Sequence, residues 1–208
     1  MKITSFQKND DRNTVTIYVE NKPVMEIDEE DYLRLHLYEK QEISNDELSK
    51  LKESIDFRYA KSKAVKFASL KLRCENEIRN KLLKNGYSSA VIERTIEELR
   101  STGYINDKLY VENYINDRCK LKPQSKNAIK YNLLNIGIDE KIIDQVIESY
   151  KFDEFRTAYN LAKKKFGRYN INDDKIKRKL YSFLSYRGFN HEIINAIIIM
   201  LKNNEDME

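Results

Sequence analysis

Three of the chain's five glycines, Gly86, Gly137 and Gly188, stand 51 residues apart. That repetition limits the fold more than any single motif does, because the surrounding residues repeat with it. Eight positions before the glycines stand Ile78, Ile129 and Leu180, and four before them Leu82, Leu133 and Leu184. Two positions after come Ser88, Asp139 and Asn190, residue types that cap helix N-termini. Each copy continues with an apolar pair (Val91 and Ile92, Ile142 and Ile143, Ile193 and Ile194) and then with Ile96, Ile147 or Ile198. Apolar residues four apart predict a helix, the glycine predicts its end in a left-handed turn, and the polar cap predicts the next helix. The same shift carries Ala60 and Ala64 onto Val111 and Ile115, then onto Ala162 and Phe166, which predicts a further helix ahead of each pair. A unit this small cannot bury its apolar stripe alone, so the copies are expected to stack on their neighbours.

The expected fold class is all-α: an extended, right-handed or curved array of three tandem three-helix repeats at 56–106, 107–157 and 158–208. Residues 1–27 differ. Lys2 to Phe6, Thr14 to Glu20 and Val24 to Ile27 are rich in β-branched residues, with NDDRN and ENKP as turns between them, and predict a small antiparallel meander. Three strands are marginal alone, so the meander should lean on the helical connector at 28–55. There DEEDYLRLHLY predicts one helix, and a second begins at SNDELSKLKESI, with Ser44 or Asn45 as cap and Glu47 beside it. From Asp56 to Ser69 the first helix of the repeats follows. In the turn STGYIND, Tyr104 and Ile105 are expected to tuck inward.

Charge divides along the chain. The net charge is +4, yet residues 1–56 hold 8 Lys and Arg against 14 Asp and Glu, so the remainder carries +10. A basic array suits a polyanion or an acidic partner. Arg118 to Ile138 contains no acid, and holds Arg118, Lys120, Lys122, Lys126 and Lys130. Repeat one adds Lys61, Lys66, Lys71, Arg73, Arg79 and Lys81, and repeat three adds Lys163 to Lys165, Lys175, Lys177, Arg178 and Lys179. These are candidate contacts to DNA or to an acidic protein face.

The sequence offers little for catalysis: two histidines, no glycine-rich phosphate loop and no nucleophile motif. Asp173 and Asp174 precede a lysine-rich helix and suit its N-terminal charge better than an acid–base pair. Cys74 and Cys119 lack metal-ligand spacing, and both are expected to be half-buried helix residues. No cofactor, metal site or enzyme activity is expected. The longest apolar run, Ala196 to Leu201, is too short for a bilayer, and MKITSFQKND lacks a signal-peptide core, which places the chain in the cytoplasm; because adjacent repeats would share their cores, a monomer is expected.

Together, LRCENEIRNKLLKNGY, VIERTIEELRSTGYIND, KNAIKYNLLNIGI and SYRGF resemble the signature of the RecX family, bacterial regulators of the recombinase RecA. The resemblance covers Tyr59 to about Leu201. It departs at Cys74, where the family usually has a serine cap, and at Lys122, which replaces a glycine before Pro123. The resemblance implies an array lying in the groove of the RecA filament on single-stranded DNA. There it would obstruct recombinase, ATPase and coprotease activities without turnover, and bind bare DNA only weakly. Two other classes stay open: a stand-alone basic DNA-binding protein, disfavoured by the acidic helices IERTIEEL and DEKIIDQVIE, and a helical scaffold.

Overall fold

The structure, a computed structural model, describes residues 1–205 and the side chains of residues 1–202. It divides into two compact units, Met1–Lys71 with Ile78–Tyr104, and Leu72–Glu77 with Ile105 to the end of the described chain.

In the first unit β1 (Ile3–Asn9), β2 (Thr14–Val19) and β3 (Lys22–Asp28) form an antiparallel sheet in that order. On β2, Val15, Ile17 and Val19 are buried and the residues between them only half so, the period-2 pattern of a strand with one covered face. Glu20 and Asn21, with φ of 49° and 63°, close a two-residue hairpin of the kind that matches strand twist. β3 starts two residues earlier than the sequence reading placed it. Pro23, which cannot donate to the ladder, is accommodated where the β2–β3 register shifts.

The sheet packs on α1 (Glu29–Arg34) and α2 (Asn45–Ser69), burying Ile3, Ile27, Leu37, Ile43 and Ile55 with the β2 residues. Two expectations change here. The helix in DEEDYLRLHLY stops at Arg34, because His36 takes a left-handed φ of 49° that turns Leu37 into the core. The connector helix and the first repeat helix are one: α2 passes through 55 and 56 without a break, started by a capping box between Ser44 and Glu47. Asp31, fully buried, is tied to Arg34 at 2.7 Å and to Arg58 on α2, so the carboxylate is compensated by two guanidiniums. Beyond α2, α3 (Glu75–Lys84) and α4 (Ser89–Ser101) complete the first hairpin. α2 packs against α4, where Ala60 and Ala64 are buried.

The second unit contains α5 (Asp107–Lys120), α6 (Lys126–Ile136), α7 (Glu140–Ser149), α8 (Glu154–Phe166), α9 (Asp174–Ser185) and α10 (His191–Glu205). Val111, Ile115, Ile129, Leu133, Ile143 and Ile147 form one core, and Ala162, Phe166, Leu180, Leu184, Ile194 and Ile198 the equivalent core 51 residues on. Ser88, Asp139 and Asn190 each cap the helix that follows, as their positions predict. Ile105 is buried as expected, but Tyr104 is 46% exposed. Cys74 is fully buried just ahead of α3, and Cys119 is exposed on α5, so neither is half-buried.

Within this unit the repeats join by a recurring contact. The turn ending at Gly137 rests on the start of α3, where Asn76 Nδ2 donates to the Ile136 carbonyl at 2.7 Å. The turn ending at Gly188 rests on the start of α6, where the Ser125 amide donates to the Arg187 carbonyl at 3.0 Å. The first amide of the covered helix is also served from the start of a later helix: Glu75 N–H donates to Asp107 of α5, and Lys126 N–H to Glu154 of α8, at 2.8 and 2.6 Å. Ser125 Oγ also accepts from the Ala128 amide at 3.1 Å, a cap bond for which Cys74, at the same position one period earlier, has no oxygen.

Candidate nucleic-acid interface

The last turn of α5 presents Arg118 and Lys120, and a loop through Leu121, Lys122 and Pro123 leads to the Ser125 cap of α6. The bond between Ser125 and Arg187 brings this loop beside the turn after α9. A groove forms there, walled by Arg118, Lys120, Lys122 and Gln124 on one side and by Asn160 and Lys164 of α8 on the other, with Tyr186 and Arg187 at its edge. Those same two residues border an adjoining depression between α8 and α9, lined by Lys165, Phe166, Arg178, Lys179 and Phe183. Among the described residues lining either hollow there is no Asp or Glu, so no carboxylate in the lining offsets the cations.

The cations are held by rings instead. Lys165 Nζ and Arg187 Cζ lie 4.1 and 3.9 Å from the Phe183 ring centroid, and Arg118 Cζ lies 4.6 Å from that of Tyr114. A ring face fixes a cation without cancelling its charge, at a gain of about 0.5–1 kcal/mol each at exposed sites. Tyr186, 87% exposed, carries the most uncovered large hydrophobic side chain among the described residues of the unit and lines both hollows.

The candidates from the sequence are thus distributed unevenly. Arg118, Lys120, Lys122 and Arg178 come together in the groove system, while Lys177 and Lys126 are exposed on α9 and α6 outside its lining. Lys130 is held by Asp144 at 2.6 Å and Glu140 at 2.8 Å, hydrogen bonds that raise its pKa above the ordinary lysine value. The acid-free run from Arg118 to Ile138 is therefore not acid-free in space. In the first repeat Lys61 pairs with Glu98, Arg79 with Glu93, and Arg73 with Glu77. Lys81 leans over Phe67, and Lys66 and Lys71 are exposed. Missing from that reading were Arg187 and Tyr186, which the motif SYRGF contains but which charge counting does not single out. Lys164, Lys165 and Lys179, also candidates from the sequence, line the two hollows as well.

Burial pushes the Cys74 thiol up to about 11 and the Tyr110 phenol to about 12, which keeps both neutral inside the second unit. Among the described residues no group of three or more His, Cys, Asp or Glu is arranged to hold a metal ion, and no helix is long and apolar enough to cross a membrane. Asp173 caps α9 through the Lys175 amide at 2.7 Å.

Three family models match in chain order: RecX, first three-helix domain, at residues 60–99; RecX, second three-helix domain, at 106–147; and RecX, third three-helix domain, at 153–198. A regulatory protein RecX of Clostridium perfringens strain SM101 is 32% identical over 212 residues, covering 100% of this chain and 99% of the relative. One of Clostridioides difficile strain 630 is 32% identical over 209 residues, covering 100% and 97%. Among solved structures, a crystal structure of regulatory protein RecX shares the fold with a TM-score of 0.67 at 22% identity, over 95% of this chain and 98% of that one.

Proposed function

The chain belongs to the RecX family, and we propose that it is a non-enzymatic regulator that binds the RecA nucleoprotein filament and inhibits its recombinase, ATPase and coprotease activities. In that role it modulates homologous recombination and DNA repair from the cytoplasm, acting as a monomer. The observation that carries this reading is the ordered match of all three repeats to the three domains of one family, in relatives of the same length named as regulatory proteins.

The physical features support it. A basic unit with repeated, solvent-facing cations suits a polyanionic filament, where many weak contacts add and counterions are released. Hydrolysis of ATP by the cognate RecA on single-stranded DNA is the direct test. The expected result is slowing that saturates at or below one regulator per RecA, with no change in the regulator itself. Unchanged hydrolysis at saturating protein, together with tight binding to bare DNA, would favour the stand-alone DNA-binding class instead. The helices after the turn glycines argue against that class, since Glu93, Glu140 and Glu148 are exposed on them and would repel phosphates in a major groove.

A further inference from the structure

The groove of the second unit combines features that a purely protein-facing surface does not need. Its cations come from five places in the chain: the end of α5, the following loop, α8, α9 and the turn after α9. Lys120, Lys122 and Lys164 are exposed in one hollow and Lys179 in the other, and the two share Tyr186 and Arg187. Where the two hollows meet, Tyr186 holds its ring in solvent at 87% exposure. A strip of cations tracks a phosphate backbone, and an exposed ring beside it provides a face for a base. A base can use that face only when unpaired, because in a duplex both of its faces are already stacked.

We propose that this groove binds single-stranded nucleic acid directly, with phosphates along Lys120, Lys122, Lys164 and Lys179 and one base stacked on Tyr186. This goes beyond the regulatory reading, since it assigns a site and needs no RecA. Its failure would leave the filament reading standing.

The test is fluorescence anisotropy of the full chain with a labelled oligothymidylate of about 15 nucleotides, an oligouridylate of that length and an abasic strand, titrated across salt concentrations. Tyr186→Ala should weaken binding to the base-bearing strands by between about fivefold and a hundredfold, the range for one stacked base. Tyr186→Phe should bind like the parent, and the abasic strand should not distinguish the parent from Tyr186→Ala. Replacing Lys120, Lys122 and Lys164 together by Ala should flatten the slope of log affinity against log salt by about 2, the share of three lost phosphate contacts on a single strand. The control is removal of three exposed lysines outside the groove, Lys108, Lys141 and Lys151, with circular dichroism to verify each fold. Whichever of DNA and RNA binds more tightly, the Tyr186 dependence must appear in it. The proposal is overturned if the control triple loses as much slope as the groove triple, or if Tyr186→Ala leaves both base-bearing strands unaffected. It is equally overturned if neither strand binds at low salt, in which case the groove faces an acidic protein surface.

Discussion

Changing Gly188 to alanine separates the two reasons for a glycine at a repeat turn. Gly188 has φ of +82°, and an added Cβ would lie 2.6 Å from both the Ala128 Cβ and the Ser125 Oγ. Gly86 and Gly103, with φ of +83° and +79°, have nothing within 4 Å of the same position. All three therefore carry the left-handed penalty, about 1–2 kcal/mol for a residue with a Cβ. Only Gly188 adds overpacking against a helix start, about 1–3 kcal/mol more. Gly188→Ala is expected to cost about 2–5 kcal/mol against about 1–2 kcal/mol for Gly86→Ala or Gly103→Ala. Because the glycines belong to different units, urea unfolding should be read by hydrogen–deuterium exchange, which reports segments 78–104 and 105–201 separately. Costs equal within about 0.5 kcal/mol across the three variants would mean that the turn yields, and that the junction contact contributes nothing to stability.

The paired state of Lys130 predicts that Lys130→Glu lowers the melting temperature, since it sets a third carboxylate against Asp144 and Glu140, while Lys126→Glu, on an exposed side chain, leaves it unchanged. Thermal melts by circular dichroism check both, and equal melts would show the pairs to be idle. In alkali, the neutral forms of Cys74 and Tyr110 are favoured in the folded state, so stability is fully present below about pH 9 and is lost as pH rises toward 12. For Cys74 the rise from 9.0 to about 11 corresponds to about 3 kcal/mol at full development. Cys74→Ala should remove the part of the decline that begins near pH 9, and an unchanged profile would exclude the thiol as its source.

The helices and cores of the repeats were legible because one apolar pattern recurs, and each copy confirms the others: Ile78, Ile129 and Leu180 are all fully buried. The continuity of α2 was not, since nothing in SKLKESIDFRYA distinguishes two helices from one. The early end of α1 escaped notice for a related reason. It is imposed by burial of Leu37, a tertiary demand, on a segment with no glycine or proline to announce it. Of the groove, the sequence showed Arg118, Lys120 and Lys122 as a cluster but could not show what faces them. Lys164 and Arg187 are 42 and 65 residues beyond Lys122, and the bonds from Lys126 to Glu154 and from Ser125 to Arg187 tie α8 and the turn after α9 to the start of α6. Charge counting also misjudged Lys130, whose acids lie on the next helix rather than beside it in sequence.

The junction contact also has a counterpart one period further on. Shifting the covered surface of repeat two by one period carries Ser125 to Ile176 and Ala128 to Lys179, both of which line the hollow between α8 and α9. That hollow is the berth a fourth repeat, or the turn of another molecule, would occupy. Its counterpart on α6 offers a small methyl group and a cap hydroxyl, whereas α9 offers a lysine and caps itself through Asp173. A head-to-tail contact that never closes would string molecules into a fibre. Where the Gly188 turn meets the methyl group of Ala128, the corresponding place one period on presents the cation of Lys179, so the same geometry is offered with the opposite chemistry.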